Sequence, residues 1–204
     1  GKSAGTENAS YRRGDDLAIR LPYRFVNTTQ VDKDHRWLPF LSPQLPLPIP
    51  VPVAKGAPAE GYPSQWSVCR WLPGENATLD CLTDLSQAAK DLAKFIHALQ
   101  QIDSVDGPVP GEHNFFRGIP LADRDGYTRA AIAESAGLVD SDAVTAAWER
   151  DLQAPVWRGP PVWIHGDLAP GNLLALNGRL SGVIDWGGLT VGDPATEMLP
   201  AWNC

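Results

Sequence analysis

The sequence predicts an α+β fold in two unequal lobes, a small β-rich one followed by a larger, mainly helical one. Three observations carry this. Short apolar runs separated by turn residues fill the first third of the chain. Helical spacing dominates from Asp84 onward. Between them Pro73-Gly74 ends the last strand of the first part, so residues 1–73 form the first lobe and 74–204 the second.

Gly1 to Asn8 reads as a Gly/Ser/Thr-rich loop. Ala9–Arg13 and Leu17–Leu21 read as strands, with Gly14-Asp15-Asp16 as their hairpin turn. Thr28 or Thr29 can cap a helix that carries Val31, Leu38 and Leu41 along one side and ends before Pro43. From Leu45 to Val53 the chain alternates Pro with Leu, Ile and Val. Each Pro lacks a ladder N–H, so this segment is an extended stretch or an edge strand, and the apolar residues between the prolines imply burial. Gln65–Leu72 reads as a buried strand.

In the second lobe, Asp84-Leu-Ser-Gln87 fits a capping box. The helix behind it places Leu85, Ala88, Leu92, Phe95, Ile96 and Leu99 at helical spacing. Residues 121–152 read as two helices with a break over Gly137–Ser141. Strands follow at Val162–Ile164, Leu173–Ala175 and Ser181–Ile184. Asn177-Gly178 between the last two predicts a type I′ hairpin. An amphipathic helix is expected from about Pro194. The chain opens without Met and stops inside that helix, which reads as a piece of a longer protein.

Bulk properties narrow the function. The 204 residues are 43% hydrophobic and 20% charged, ordinary for a globular protein. The net charge of −7 and the lack of a basic run argue against nucleic acid and anionic membranes as partners. No apolar stretch is long enough for a membrane span, and no signal peptide opens the chain. Cys69, Cys81 and Cys204 are an odd set without metal-ligand spacing, which suggests free thiols in a reducing cytoplasm.

The chemistry is concentrated in His165-Gly-Asp-Leu-Ala-Pro-Gly-Asn172 and Ile184-Asp-Trp-Gly187. The first fits the catalytic-loop pattern H-x-D-x-x-x-x-N. The second supplies the Asp that follows it in D-F-G. Asp167 is the candidate catalytic base, a carboxylate placed to orient an acceptor hydroxyl and take its proton. Asn172 and Asp185 are the candidate Mg²⁺ ligands, because magnesium takes few protein oxygens and completes its shell with water and phosphate. The hairpin brings them together. His165 reads as a structural imidazole that holds the loop. Asp193 precedes Pro194 and caps the next helix, with or without a second role in tying down the catalytic loop. Arg20, on the second strand, is placed to clamp nucleotide phosphates with Asp34 as its partner; a surface Arg and a surface Asp are the competing reading. Gly1–Thr6 is either the end of a phosphate-covering loop or a flexible terminus.

These motifs, with Gly192-Asp-Pro-Ala195, resemble the aminoglycoside phosphotransferase family in the wider choline-kinase-like group. Arg20-Leu-Pro22, His35–Leu38, Trp71–Gly74 and His113-Asn-Phe-Phe-Arg117 resemble a bacterial branch of it. The resemblance implies a two-lobed protein-kinase-like fold, ATP or GTP between the lobes, and Mg²⁺ in the site. It makes the backbone of Arg70, Trp71 and Leu72 the hinge that meets the base. It places the small lobe's first strand before Gly1 and further helices after Cys204. Two residues depart from the family pattern: Arg20 replaces the usual Lys, and Asp34 the usual Glu. Only Gly188, Leu189, Thr190 and Val191 separate Gly187 from Gly192, and no A-P-E follows, so there is no room for a protein kinase's activation loop. The expected acceptor is therefore a small-molecule hydroxyl, first of all an aminoglycoside-type antibiotic. Macrolides, amino alcohols and sugars fit the same motif. A non-catalytic kinase-like nucleotide-binding module is the alternative class. Oligomeric state is not readable.

Overall fold

The computed structural model describes residues 2–4, 8–23 and 28–203. Its first part is an antiparallel five-stranded sheet with α1 (Thr28–Leu41) against it. The strands are β1 (Lys2–Ala4), β2 (Asn8–Arg13), β3 (Leu17–Pro22), β4 (Pro52–Gly56) and β5 (Trp66–Arg70), in spatial order β1-β2-β3-β5-β4. The Gly14–Asp16 turn joins β2 to β3 in the register Tyr11↔Ile19. Within residues 1–8, expected as loop, Lys2–Ala4 instead pair with Ala9–Tyr11 as the outer strand. Of the Gly1–Thr6 candidate loop, Gly1, Gly5 and Thr6 lie outside the described residues.

Period-two alternation shows most clearly in β5, where Ser67 and Cys69 are buried and the residues between them are less so. The proline-rich run resolves as expected from its chemistry. Residues 45–51 form no regular element and bend at 46–47, and the strand itself starts at Pro52 on the sheet's edge, where a missing N–H costs no ladder bond. Ile49 is buried, whereas Val53 points outward.

The second part is built around α2 (Leu85–Gln101). Asp84 accepts from the Gln87 N–H at 2.9 Å, but the Gln87 side chain turns to Asp91 at 2.8 Å, so only the N-cap half of the capping box forms. Leu92, Phe95 and Leu99 are buried; Leu85 is exposed. α3 (Asp125–Glu134) and α4 (Ser141–Asp151) form a hairpin with no fully buried residue. Trp148 Nε1 donating to Asp125 Oδ1 at 2.7 Å and Arg129 to Glu149 Oε1 at 3.5 Å tie the two helices together.

Five short strands then set up the site. β7 (Val162–Ile164) pairs with β10 (Thr190–Gly192), and β8 (Leu173–Leu176) with β9 (Arg179–Val183) and with β6 (Glu75–Asn76). Asn177 and Gly178 take φ of 53° and 80°, the double left-handed turn expected between β8 and β9. The expected helix from Pro194 is a 3₁₀ turn over Pro194–Met198, then a short α5 (Pro200–Asn203). The core joins α1, α2 and these strands. Trp163 and Trp186 are its largest fully buried side chains; Trp37 packs on Trp163 and Phe95 on Trp186. Burying each such side chain contributes about 1.5–3 kcal/mol.

Candidate active site

The loop from β7 to β8 carries His165, Asp167 and Asn172, and the end of β9 leads into Asp185. A backbone bond from the Ile184 N–H to the Asn172 carbonyl, 2.9 Å, closes the base of the hairpin and brings the two segments together. Asn172 Nδ2 donates to the Asp167 carbonyl at 2.8 Å and to Asp167 Oδ2 at 3.1 Å. This commits the amide nitrogen and leaves Oδ1 as the atom that Asn172 can offer a cation. Asp185 sits at φ 62°, a left-handed conformation that Asp tolerates better than most residues, with its side chain 43% exposed.

His165 is fully buried against Trp186, ring centroids 4.7 Å apart. Its Nδ1 accepts from the Asp167 N–H at 3.2 Å, so Nε2 carries the proton and donates to the Ile184 carbonyl at 3.0 Å. The imidazole thus pins the His165–Asn172 loop to the segment bearing Asp185. Burial pushes it down to about 4, and the ring stays neutral.

Arg20 reaches across the cleft. One nitrogen lies 3.5 Å from Asp34 Oδ2 and another 3.8 Å from Asp185 Oδ1. Asp34 is buried and also accepts from Gln30 Nε2 at 2.5 Å. Burial raises its carboxyl above the ordinary range; Arg20 and then Lys33 oppose this. Arg20 and Asp34 therefore face each other in the interior and not on the surface.

Asp193 caps the turn that follows it, accepting from the Ala195 N–H at 2.9 Å. Its carboxylate is not what ties down the catalytic loop. That role falls to Glu197, whose Oε1 accepts from the Gly166 N–H at 2.7 Å. The reason is reach: a carboxylate already turned to the first N–H of its own 3₁₀ turn points away from the loop, whereas one turn later Glu197 points into it. Glu197 is buried, and its Oε2 has no hydrogen-bond partner among the described residues. Burial pushes this carboxyl up to about 7, against the backbone N–H groups of Gly166 and His165.

One cavity of about 310 Å³ opens beside the hairpin base. Arg20, Asn172 and Asp185 line it together with Arg70, Trp71 and Leu72. The N–H groups of Arg70 and Trp71 are taken by the Val51 and Asp16 carbonyls at 2.9 and 2.7 Å. Among the described residues no cluster of three or more His, Cys, Asp or Glu could hold a metal by itself. The oxygen pair of Asn172 and Asp185 fits a hard cation that shares its shell with phosphate and water.

A family model described as the phosphotransferase enzyme family matches residues 3–203. The chain belongs to that family. Solved phosphotransferase structures share the fold. The GDP complex of wild-type aminoglycoside 2′-phosphotransferase-IIIa aligns with a TM-score of 0.72 at 24% identity, covering 94% of this chain and 67% of that one. The streptomycin–ATP–APH(2″)-IIa ternary complex aligns at 0.64 and 22%, covering 97% and 68%. Macrolide 2′-phosphotransferase MphH from Brachybacterium faecium aligns at 0.65 and 24%, covering 94% and 66%. The chain thus spans about two thirds of the length of these phosphotransferases. Among curated proteins, none matches the sequence significantly.

Four participants carried no assigned role in the sequence. Glu197 sits in an unremarkable Thr-Glu-Met. Lys33 donates to the Gly187 and Leu189 carbonyls at 2.8 and 3.2 Å, holding the turn after Asp185. Asn114 is fully buried and donates to the Arg117 carbonyl at 2.9 Å. Arg117 lies 3.3 Å from Asp167 Oδ1. The only available signal was the His113–Arg117 segment, noted for its resemblance alone.

Proposed function

We propose that this chain moves the γ-phosphoryl group of ATP or GTP to a hydroxyl of a small molecule, an aminoglycoside-type acceptor first. The observation that carries the reading is the convergence at one cavity of Arg20, Asn172, Asp185 and residues 70–72, with Asp167 held 3.1 Å from Asn172. Residues 1–73 would form the nucleotide-binding lobe and 74–204 the lobe bearing the catalytic loop. The streptomycin and GDP bound in the aligned structures support a small-molecule acceptor and a purine nucleotide donor.

Asp167 orients the acceptor hydroxyl and takes its proton. The hydroxyl oxygen bonds to the γ-phosphorus as the bond to the β-bridging oxygen breaks, and the nucleoside diphosphate leaves with that electron pair. Asn172 and Asp185 would hold Mg²⁺, which neutralises charge on the phosphates. Arg20 places its guanidinium on the same side as Asp185. His165 and Glu197 keep the loop in register, so catalysis is mostly positioning and charge compensation.

Thermal unfolding with ATP or GTP, each with and without Mg²⁺, tests the donor site, because a ligand of the native state raises apparent stability. A Mg²⁺-dependent rise is expected. Transfer of γ-labelled phosphate to kanamycin, streptomycin and a macrolide then tests the acceptor. Asp167→Ala should abolish transfer and keep the nucleotide-induced rise; full activity in that variant removes Asp167 from the mechanism.

A further inference from the structure

The catalytic loop from His165 to Asn172 contains no Lys or Arg, and neither does the Asp185 turn through Leu189. A transfer that concentrates negative charge between base, phosphoryl group and acceptor oxygen needs positive charge beside the base as well as beside the phosphates. Arg20 serves the Asp185 side. On the Asp167 side the cation comes from Arg117, fifty residues upstream, with one guanidinium nitrogen 3.3 Å from Asp167 Oδ1.

We propose that Arg117 is a catalytic residue of the transfer: it holds Asp167 by Oδ1, opposite the grip of Asn172 on Oδ2, and presents its remaining N–H groups to the phosphoryl group. The proposal rests on the phosphotransfer reading above.

The local backbone is built for this contact. Phe115 and Phe116 both sit at φ 57°, a left-handed conformation that bulky residues adopt only where surroundings impose it. The imposing residue is Asn114. Its Oδ1 accepts from the Gly111 N–H at 2.9 Å, and its Nδ2 donates to the Arg117 and Gly188 carbonyls at 2.9 and 3.4 Å. On the other side the Gly118 N–H reaches Thr196 Oγ1 at 3.1 Å, and its carbonyl accepts from the Asp193 N–H at 2.8 Å. Arg117 is therefore fixed, through its own carbonyl and through Gly118, to the segments that flank the site. An ordinary surface ion pair needs no such scaffold. The side chains of Arg117 and Asp167 are 32% and 36% exposed, so the pair is open to an incoming substrate.

The test compares wild type, Arg117→Ala and Arg117→Lys. The first measurement is steady-state phosphate transfer from MgATP and MgGTP to kanamycin, with release to water in parallel. Arg117→Ala should lose on the order of 10³-fold in kcat, the scale of an arginine placed on a transferring phosphoryl group. The KM for Mg-nucleotide should stay within about threefold, and added guanidinium should restore part of the rate. Arg117→Lys should retain more than Ala. A merely structural arginine would lower stability without the kcat–KM split and without rescue. The second measurement needs no turnover: MgADP with aluminium fluoride should stabilise wild type beyond MgADP alone, and Arg117→Ala should lose only that increment. An Ala variant with wild-type kcat, or with an intact fluoride increment, overturns the proposal alone. Wild type that no Mg-nucleotide stabilises removes the phosphotransfer reading and the proposal with it.

Discussion

Glu197 Oε1 accepts a hydrogen bond from the Gly166 N–H at 2.7 Å, so a buried acid thirty-one residues downstream fixes the backbone of the catalytic loop. The backbone N–H of His165 also favours the charged carboxylate, while burial and the nearby Asp167 charge oppose it. The pH responses of Glu197 and His165 oppose each other and can be separated by substitution.

Burial lifts Glu197 from 4.5 to about 7, so between those values the folded chain keeps a proton that the unfolded chain releases, and stability falls as pH rises. His165 acts the other way. Lowered from 6.5 to about 4, it refuses a proton that the unfolded chain takes, and stability falls as pH drops through that window. The two offset each other where the windows overlap. Glu197→Gln keeps an oxygen for the Gly166 N–H and removes the titration. Relative to wild type, the variant should gain stability as pH rises from 4.5 to 7, by on the order of 3 kcal/mol. Calorimetric Tm against pH reads this directly; parallel profiles for the two proteins would mean that Glu197 does not titrate in the fold.

Arg20 spans two carboxylates, which explains why Lys is a poor substitute here: one ammonium cannot keep both the 3.5 Å contact to Asp34 and the 3.8 Å contact to Asp185. Arg20→Met strands the buried Asp34 with only Gln30 and the field of Lys33. A cost of about 2–3 kcal/mol is expected, below that of a fully abandoned buried charge. Adding Asp34→Asn to Arg20→Met should recover part of it. Urea unfolding of the two single variants and the double variant gives the coupling, and strictly additive losses would separate the two residues.

Asp185→Asn isolates charge from shape. Asn is as tolerant of the left-handed region as Asp, so φ 62° survives and Tm should change little. If Asp185 holds the cation as proposed, the stabilisation by MgATP or MgGTP should shrink or vanish with the loss of a carboxylate ligand. An unchanged Mg²⁺ dependence would remove Asp185 from the metal site.

What the sequence revealed follows from the range of the interactions. Local rules placed the β2–β3 hairpin, the Asn177-Gly178 turn, the Asp84 cap and the buried face of α2, since each is decided within a few residues. The spacing of Asp167, Asn172 and Asp185 was legible because one hairpin joins them. The 3₁₀ geometry after Pro194 was not, because helical periodicity does not distinguish it from an α-helix over one turn. Nor was the division of labour between Asp193 and Glu197, which depends on which carboxylate is free after capping. Arg117 was out of reach for another reason: it meets Asp167 through fifty residues of intervening helix and loop, and the signal is a pair of left-handed phenylalanines that no propensity forecasts.

Gly166 and Gly188 pack backbone against backbone in the site, and this makes a last prediction. A Cβ on Gly188 would lie 2.6 Å from the His165 carbonyl, and one on Gly166, at φ 80°, 2.8 Å from the Gly188 carbonyl. Both obstacles are backbone, so neither can swing aside. Gly188→Ala must push the catalytic loop away from the turn that carries Asp185. Overpacking of this kind costs about 1–3 kcal/mol. The effect on turnover should be larger than that on stability, because a shift of the order of 1 Å between base and metal ligands costs roughly 10²-fold in rate. Gly126→Ala in α3 is the control: nothing lies within 4 Å of its Cβ, and the helix should gain roughly 0.5–1 kcal/mol. If Gly188→Ala loses rate only in proportion to its unfolded fraction, the glycine contact serves folding and not the alignment of Asp167 with Asp185.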